Sequence, residues 1–355
     1  FRDCNGWFHI VVNVDGSRSA NQRCKIYVNG SEVSCSNTTD TGGTLAMKTV
    51  TTTNAMRLGA IRTSSGAEYY FSGLMSHVHY IDGTGYDASY FGETDSTTGE
   101  WKIKTNVTGV NYGNNGFFVL KDGNSVTDQS GNSNNFTVGG GTLTKTEDNP
   151  SNNFATYNSL VPYDGALAYT KGNTVVAYSS GADSWTTRWG VSSIGMTAGK
   201  YYAEAKIANI GTNQMYALGL VKDVGTFAPT SSVGTDGVGY YSNGGIFNLS
   251  NQTQTVATYT TNDIIGIAFD RDNGTVQWYK NGSAIGNAET GLSTDGTWFF
   301  VSNFYSSGKV AVNFGNGYFE ETAVSSAGTN ASGNGIFEYD VPTGYTALST
   351  KGLNT

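Results

Sequence analysis

Charge is what this chain has least of: Asp, Glu, Lys and Arg make up 14% of its 355 residues, against roughly 25% in an average soluble protein. The cations are scattered singly and the net charge is -8 with a pI near 4.9. No basic stripe is available to neutralise a phosphate backbone, so nucleic-acid binding is not expected. Long apolar runs are missing too. The longest, WFHIVV (7–12) and IIGIAF (264–269), are strand-sized and fall short of the roughly 18 residues that span a bilayer, so no membrane insertion is expected. Proline is scarce at 4 residues and cysteine scarcer at 3. Cys4, Cys24 and Cys35 cannot build a disulfide framework, and their spacing fits no zinc pattern. No G-x-S-x-G elbow, Walker loop or dinucleotide glycine fingerprint occurs, which leaves nucleophilic and nucleotide chemistry without support. The chain starts at Phe1 and its first residues already read as the approach to a strand, from which a larger precursor or an incomplete sequence is expected.

What fills the space is glycine, at 48 residues, with Ser, Thr and Asn for polarity and aromatics at 13% for bulk. Twenty-two Tyr and 17 Phe are enough to build real cores, which argues against disorder. A chain of this length exceeds what one core usually serves, so two domains are expected.

Period-two alternation closed by turn dipeptides runs throughout, and the fold class it predicts is all-β. Phe8, Ile10, Val12 and Val14 share one face of a strand that ends at Asp15-Gly16. Further strands are predicted at 24–28, 55–61, 73–81 and 116–120, with a short helical turn at 87–91 capped by Asp87. From 125 to 153 the chain is poor in large apolar residues and reads as a linker or edge segment, separating a domain at 1–124 from one at 154–355. In the second, strands are predicted at 200–207, 216–221, 237–241, 264–270, 275–280, 298–304 and 310–314.

Two stretches echo each other, KIYVNGSEV (25–33) and QWYKNGSAI (277–285). Asn-Gly is the preferred centre of a type I′ hairpin turn, which sets Ile26 opposite Val33 and Trp278 opposite Ile285, both pairs facing a core. The same register sets Cys24 opposite Cys35, leaving either a cross-strand disulfide or two buried thiols.

The second half resembles the SPRY family over most of 160–320. GKYYAEAKI (199–207), YALGLVKD (216–223), DGVGYYSNGG (236–245), NDIIGIAFDRDNGTVQWYKNGSAIG (262–286) and WFFVSNFYSSGKVAVNFG (298–315) carry that resemblance. It implies a bent concanavalin-type β-sandwich that binds partners through loops at one end. WFHIVVNVDG (7–16), KIYVNG (25–30), MRLGAI (56–61) and YFSGLMSHVHYIDG (70–83) look like the later strands of a laminin-G-like, concanavalin A-like domain, with its opening strands missing. The resemblances thus imply two tandem antiparallel sandwiches. HYIDGTGYDASYFGETDSTTGEW (79–101), DQSGNSNNFTV (128–138), NNFATYNSL (152–160) and EYDVPTGYTAL (338–348) are similar to virion proteins of marine tailed bacteriophages that join such domains. That likeness implies a non-enzymatic virion protein, as a tail fibre, appendage or capsid decoration. Its partners would be other virion subunits and host-surface glycans, and it would be displayed as a homo-oligomer. A secreted or surface lectin is the alternative, and a polysaccharide depolymerase the third.

Candidate sites follow the same chemistry. Trp185, Arg188 and Trp189 in GADSWTTRWG, with Tyr240, Tyr241 and Asn243 in GVGYYSNGG, offer rings to stack on sugars and polar groups to fix hydroxyls, although alternation sends one of the two tyrosines inward. Asp82, Asp87, Glu93 and Asp95 are an acidic set that suits calcium or simply a solvated loop. His77 and His79 share a strand face that His9 could approach, a set that suits a transition metal or plain hydrogen bonding. Glu93-Thr94-Asp95 approaches the paired carboxylates of a glycan hydrolase but lacks the second Glu.

Overall fold

The computed structural model describes residues 6–19, 22–34, 56–63, 66–71, 73–96, 99–121, 125–140, 143, 145–161, 167–179, 183–186, 188–211, 213, 216–223 and 232–354. They fall into two compact units, Trp7–Lys145 and Thr146–Thr355.

In the first unit, β1 (Ile10–Val14), β2 (Cys24–Val28) and β3 (Ser31–Val33) form an antiparallel meander. Asn29 and Gly30 turn β2 into β3 with φ of 47° and 80°, both positive as a type I′ turn requires, and Ile26 pairs with Val33 as the register predicts. Three further antiparallel pairs follow. They are β4 (Ile61–Thr63) with β5 (Gly66–Glu68), β6 (Val78–Tyr80) with β9 (Phe117–Val119), and β7 (Gly92–Thr94) with β8 (Trp101–Ile103). The predicted helical turn is a 3-10 turn at Ala88–Tyr90, capped by Asp87, which accepts from the Ser89 amide. Of the strand predicted at 55–61, residue 55 lies outside the described residues and among 56–61 only Ile61 is in a strand, while 73–81 shrinks to β6 because His77, at φ 51°, interrupts the extended backbone.

The predicted core face of the meander points the other way. Ile10 is 50% exposed, Val12 56% and Val33 43%, while Asn13, on the opposite face, is 5% exposed. Alternation identifies which residues share a face but not which face the rest of the unit covers, and here it covers Asn13. Cys24 shares the outward face and is exposed, which overturns the buried-thiol reading for it; Cys35 lies outside the described residues. Val12→Thr is therefore expected to shift stability by less than about 0.5 kcal/mol in a urea melt, and a loss near that of a buried valine would contradict this exposure.

The 125–153 stretch is divided between the two units. Asp128 is buried and accepts from the Phe118, Ser130 and Asn134 amides at 2.8, 2.9 and 2.9 Å, tying the stretch to β9. Further on, the Asn152 amide donates to Asn334 at 2.9 Å within the second unit.

The second unit is a two-layer β-sandwich. One sheet runs β10 (Leu167–Thr170), β11 (Val175–Tyr178), β22 (Gly308–Asn313), β13 (Lys200–Asn209), β18 (Ile264–Asp270), β19 (Thr275–Lys280) and β20 (Ser283–Glu289), and β25 (Thr346–Ala347) adds to β13 in parallel. The other runs β12 (Trp189–Val191), β21 (Trp298–Phe304), β14 (Tyr216–Lys222), β15 (Gly237–Tyr241), β16 (Gly245–Asn248) and β17 (Asn251–Thr255). A short helix α1 (Val233–Asp236) precedes β15, and a small hairpin joins β23 (Tyr318–Phe319) to β24 (Thr322–Ala323). The strands predicted at 237–241, 264–270, 275–280 and 298–304 are present to the residue.

Side chains from both sheets fill the space between them, among them Leu218, Tyr240, Phe269, Trp278 and Val312. Trp278 is wholly buried opposite Ile285, as the hairpin register requires. The turn from β18 to β19 is held by Asp270, which accepts from the Asn273 backbone and side chain at 3.0 and 2.8 Å and pairs with Lys200 at 2.8 Å. Burial works to raise the Asp270 pKa, but these donors outweigh it and leave the carboxyl below its ordinary value.

Segments on either side of the long strands complete the layers. Phe154 and Tyr157 are 1% exposed, and Phe337 and Leu348 are fully buried. The Ala155 amide donates to the Leu348 carbonyl at 2.9 Å, and Asn334 donates to Thr346 and Ser349 hydroxyls at 3.0 and 3.1 Å. Glu204, with no exposure at all, fastens the C-terminal segment: its carboxylate accepts from the Glu338 and Tyr339 amides at 2.8 and 2.9 Å and from the Tyr202 hydroxyl at 3.3 Å.

Candidate functional site

Strand register gathers several loops at one end of the second unit. Tyr178 pairs with Gly308, Tyr216 with Phe304, Ala217 with Tyr241 and Trp189 with Asn303. Residues 183–186, 242–244 and 305–307 therefore emerge together, and the two candidate stretches meet there. Trp185 lies 5.1 Å from Tyr241 and 5.2 Å from Tyr305, ring centre to ring centre.

Two buried polar side chains hold this end in place. Arg188 stacks its guanidinium 4.2 Å over the Tyr178 ring and donates to the Ser184 and Tyr305 carbonyls at 3.1 and 2.7 Å. Asn303 donates to the Trp185 carbonyl at 3.0 Å and accepts from the Val233 amide at 3.1 Å. Such fully engaged groups in a low-dielectric setting make the loop a rigid platform.

Most of the candidate ring surface is used for packing. Trp189 is fully buried, with its indole donating to the Trp185 carbonyl at 3.2 Å. Tyr240 is fully buried on the inner face, 4.8 Å from Tyr259, and its hydroxyl donates to the Ala257 carbonyl. Tyr241 points to the outer face and is nevertheless 6% exposed, because α1 and Phe247 cover it; its hydroxyl accepts from the Gly234 amide at 3.0 Å. The premise that one tyrosine of the pair stays open to solvent is thus overturned by a short helix whose sequence has no amphipathic period to announce it. Arg188 is committed within the protein as well. Left at the surface are the half-buried rings of Trp185 and Tyr305, and Asn243, whose carbonyl accepts from the Gly245 amide at 3.0 Å. Asn213 and Asp183 join them, bonded to each other. A firm patch of ring edges rimmed by amides and a carboxylate suits recognition of a partner surface.

The acidic set does not converge. Asp82 accepts from the Asn115 backbone and side chain at 3.2 and 2.7 Å, Asp87 caps its 3-10 turn, Asp95 pairs with Lys102 at 2.7 Å, and Glu93 is exposed on β7. Among the described residues no three His, Cys, Asp or Glu side chains gather as a metal would need. Each histidine has its Nδ1 engaged within the protein: His9 accepts from the Trp101 indole at 2.9 Å, His77 bonds Ser76 at 2.7 Å, and His79 bonds Tyr112 at 2.8 Å while stacking 3.9 Å from Phe118. Burial, aided by His77 and His9, pushes the His79 pKa down to about 3, so its imidazole stays neutral.

The SPRY domain family model matches residues 200–317, about a third of the chain. Among solved structures, the SPRY domain of human HERC1 is similar at 21% identity and a TM-score of 0.36, covering 41% of this chain and 91% of that one. A human SPRY domain is similar at 17% identity and a TM-score of 0.33, covering 41% and 94%. The PSpry domain of TRIM65 is similar at 12% identity and a TM-score of 0.36, covering 45% and 91%. No curated protein sequence matches the chain. Residues 200–317 are a SPRY domain, and SPRY domains as a class are protein-interaction or binding modules, generally without catalysis. Strands β10 to β12 and β25 lie outside the matched range yet belong to the same two sheets.

Proposed function

We propose that this chain is a non-enzymatic structural and binding protein displayed on a bacteriophage particle, as a tail fibre, appendage or capsid decoration. Its first unit is read as laminin-G-like, and the loop end of its second unit is the surface that meets a particle or host-surface partner. The observation that carries the binding half of this reading is the convergence of Trp185, Tyr305, Asn213 and Asn243 on a loop end locked by Arg188 and Asn303. The location rests on the similarity of 79–101, 128–138, 152–160 and 338–348 to phage virion proteins. Mass spectrometry of purified particles from the encoding genome should find the chain in multiple copies, and the purified chain should release no reducing ends from host polysaccharide. Absence from the particle overturns the location, and polysaccharide cleavage overturns the non-enzymatic role.

A further inference from the structure

The loop end of the second unit has a charge character as well as a shape. Arg188, Lys280 and Lys309, which lie at or beside it, are each engaged within the unit: Arg188 is 7% exposed and committed to Tyr178 and two carbonyls, Lys280 pairs with Asp263 at 3.1 Å, and Lys309 pairs with Glu320 at 2.8 Å. Asp183 is placed differently. It is exposed, it accepts a bond from the Asn213 side-chain amide, and no cation pairs with it among the described residues. A carboxylate left over where the nearby cations are spoken for selects against anionic partners and attracts cationic ones.

Rings accompany that carboxylate. Trp185, two residues on, is half-buried and inclined at 50° to the half-buried Tyr305 ring, and the buried Tyr241 is set against it at 73°. An aromatic ring attracts a cation held within about 6 Å of its centre. The same end already makes one such contact internally, where Arg188 stacks 4.2 Å over Tyr178 while donating to the Ser184 and Tyr305 carbonyls. An internal cation thus takes the Tyr305 carbonyl and leaves the Tyr305 ring.

We infer that this end recognises a cationic side chain, an arginine by preference, presented by a protein partner and held between the Trp185 and Tyr305 rings, the Asp183 carboxylate and the Asn213 side-chain carbonyl. Arginine is favoured over lysine because its planar fork stacks on a ring and reaches a carboxylate at once. The inference rests on the loop-end reading of the proposed function and deepens it by naming what the partner must carry.

The test is selection from a random-peptide display library with the full chain at low salt, followed by fluorescence-polarisation titration of the strongest binder. Selected peptides should be enriched in arginine or lysine, and replacing that residue by glutamine should weaken binding at least about ten-fold. Raising salt from about 0.05 to about 0.5 M should weaken it several-fold. Asp183 is exposed and asparagine can still accept from Asn213, so Asp183→Asn should keep the fold, as circular dichroism can verify. It is expected to weaken binding at least about five-fold and Trp185→Ala at least about ten-fold. Asp272→Asn, an exposed position in the turn from β18 to β19 at the other end of the sandwich, should leave it within about two-fold. No binder, or a binder indifferent to Asp183→Asn, overturns the inference. Acidic or apolar peptides whose binding falls with Trp185→Ala overturn it alone and leave the loop-end reading standing, whereas cationic peptides indifferent to both substitutions overturn the two together.

Discussion

Trp278→Ala is expected to cost the second unit about 3–5 kcal/mol, a large part of the 5–15 kcal/mol that typically holds a domain together. The indole is wholly buried between the two sheets and faces Tyr240 at 6.4 Å. Removing it leaves a cavity lined by strands from both layers, which cannot close without breaking their pairing. Trp278→Phe should be much milder. The indole nitrogen has no hydrogen-bond partner among the described residues, so phenylalanine gives up volume and no polar contact. Urea unfolding followed by near-ultraviolet circular dichroism compares the two; a loss below about 1 kcal/mol for the alanine variant would mean that this hairpin is not central to the core.

The second large effect depends on pH and on Glu204. Burial pushes its pKa up to about 7, against the Glu338 and Tyr339 amides and the Tyr202 hydroxyl, which favour the charged form, while the charge of nearby Glu338 adds to the rise. Unfolded, the carboxyl returns to its ordinary range near 4.3. Between these values the folded state holds a proton that the unfolded state has released, so stability falls as pH rises through the window and is lowest above pH 7. The span corresponds to an effect on the order of 3 kcal/mol. Asp263 and Asp270 have depressed pKa values, so their contributions are present throughout this window and are lost only in stronger acid. His79 acts in the opposite sense, since an imidazole buried neutral loses stability as pH falls below about 6.5.

Comparison with Glu204→Gln isolates the residue. The amide cannot titrate, so the difference between wild-type and variant melting curves should shrink steadily from pH 5 to pH 8. At pH 5 the variant should be the weaker by about 1–3 kcal/mol, because an NH₂ group now faces a backbone donor. A difference that is flat across that range would show that Glu204 is charged throughout.

The second unit was legible in the sequence wherever a strand is buried on both sides and bounded by a turn of demanding geometry. β18 has both features, and β19, whose Val276 and Trp278 are buried on one face, has the turns: Asp270, Asn273 and Gly274 lie at the turn between them and Asn281-Gly282, at φ 49° and 82°, beyond. The edge strand β17 was missed because NQTQT carries no apolar residue, and β20 was legible only as the return arm of its hairpin because its side chains are mostly exposed. In the first unit short strands and irregular connections left period-two patterns that do not reveal the covered side, and Ile10 and Val12 turned outward as a result. Of the candidate site, the types of residue were legible and their meeting was not. Trp185 and Tyr241 are brought together by pairings of β12 with β21 and of β14 with β15, long-range choices that no local pattern encodes.

The fastening of the C-terminal segment bears on how the chain is made. Asn152 bonds Asn334 across 182 residues and Asn153 bonds Thr350 across 197. A ribosome that has delivered the long strands but not yet residues 334–350 presents two sheets without the side chains that fill their margin. Such non-local closure is slow and leaves apolar surface open in the meantime. The last part of the second unit to leave the exit tunnel is thus the part that commits it to its final form, and nascent chains halted before residue 334 should remain protease-sensitive across strands that are already complete.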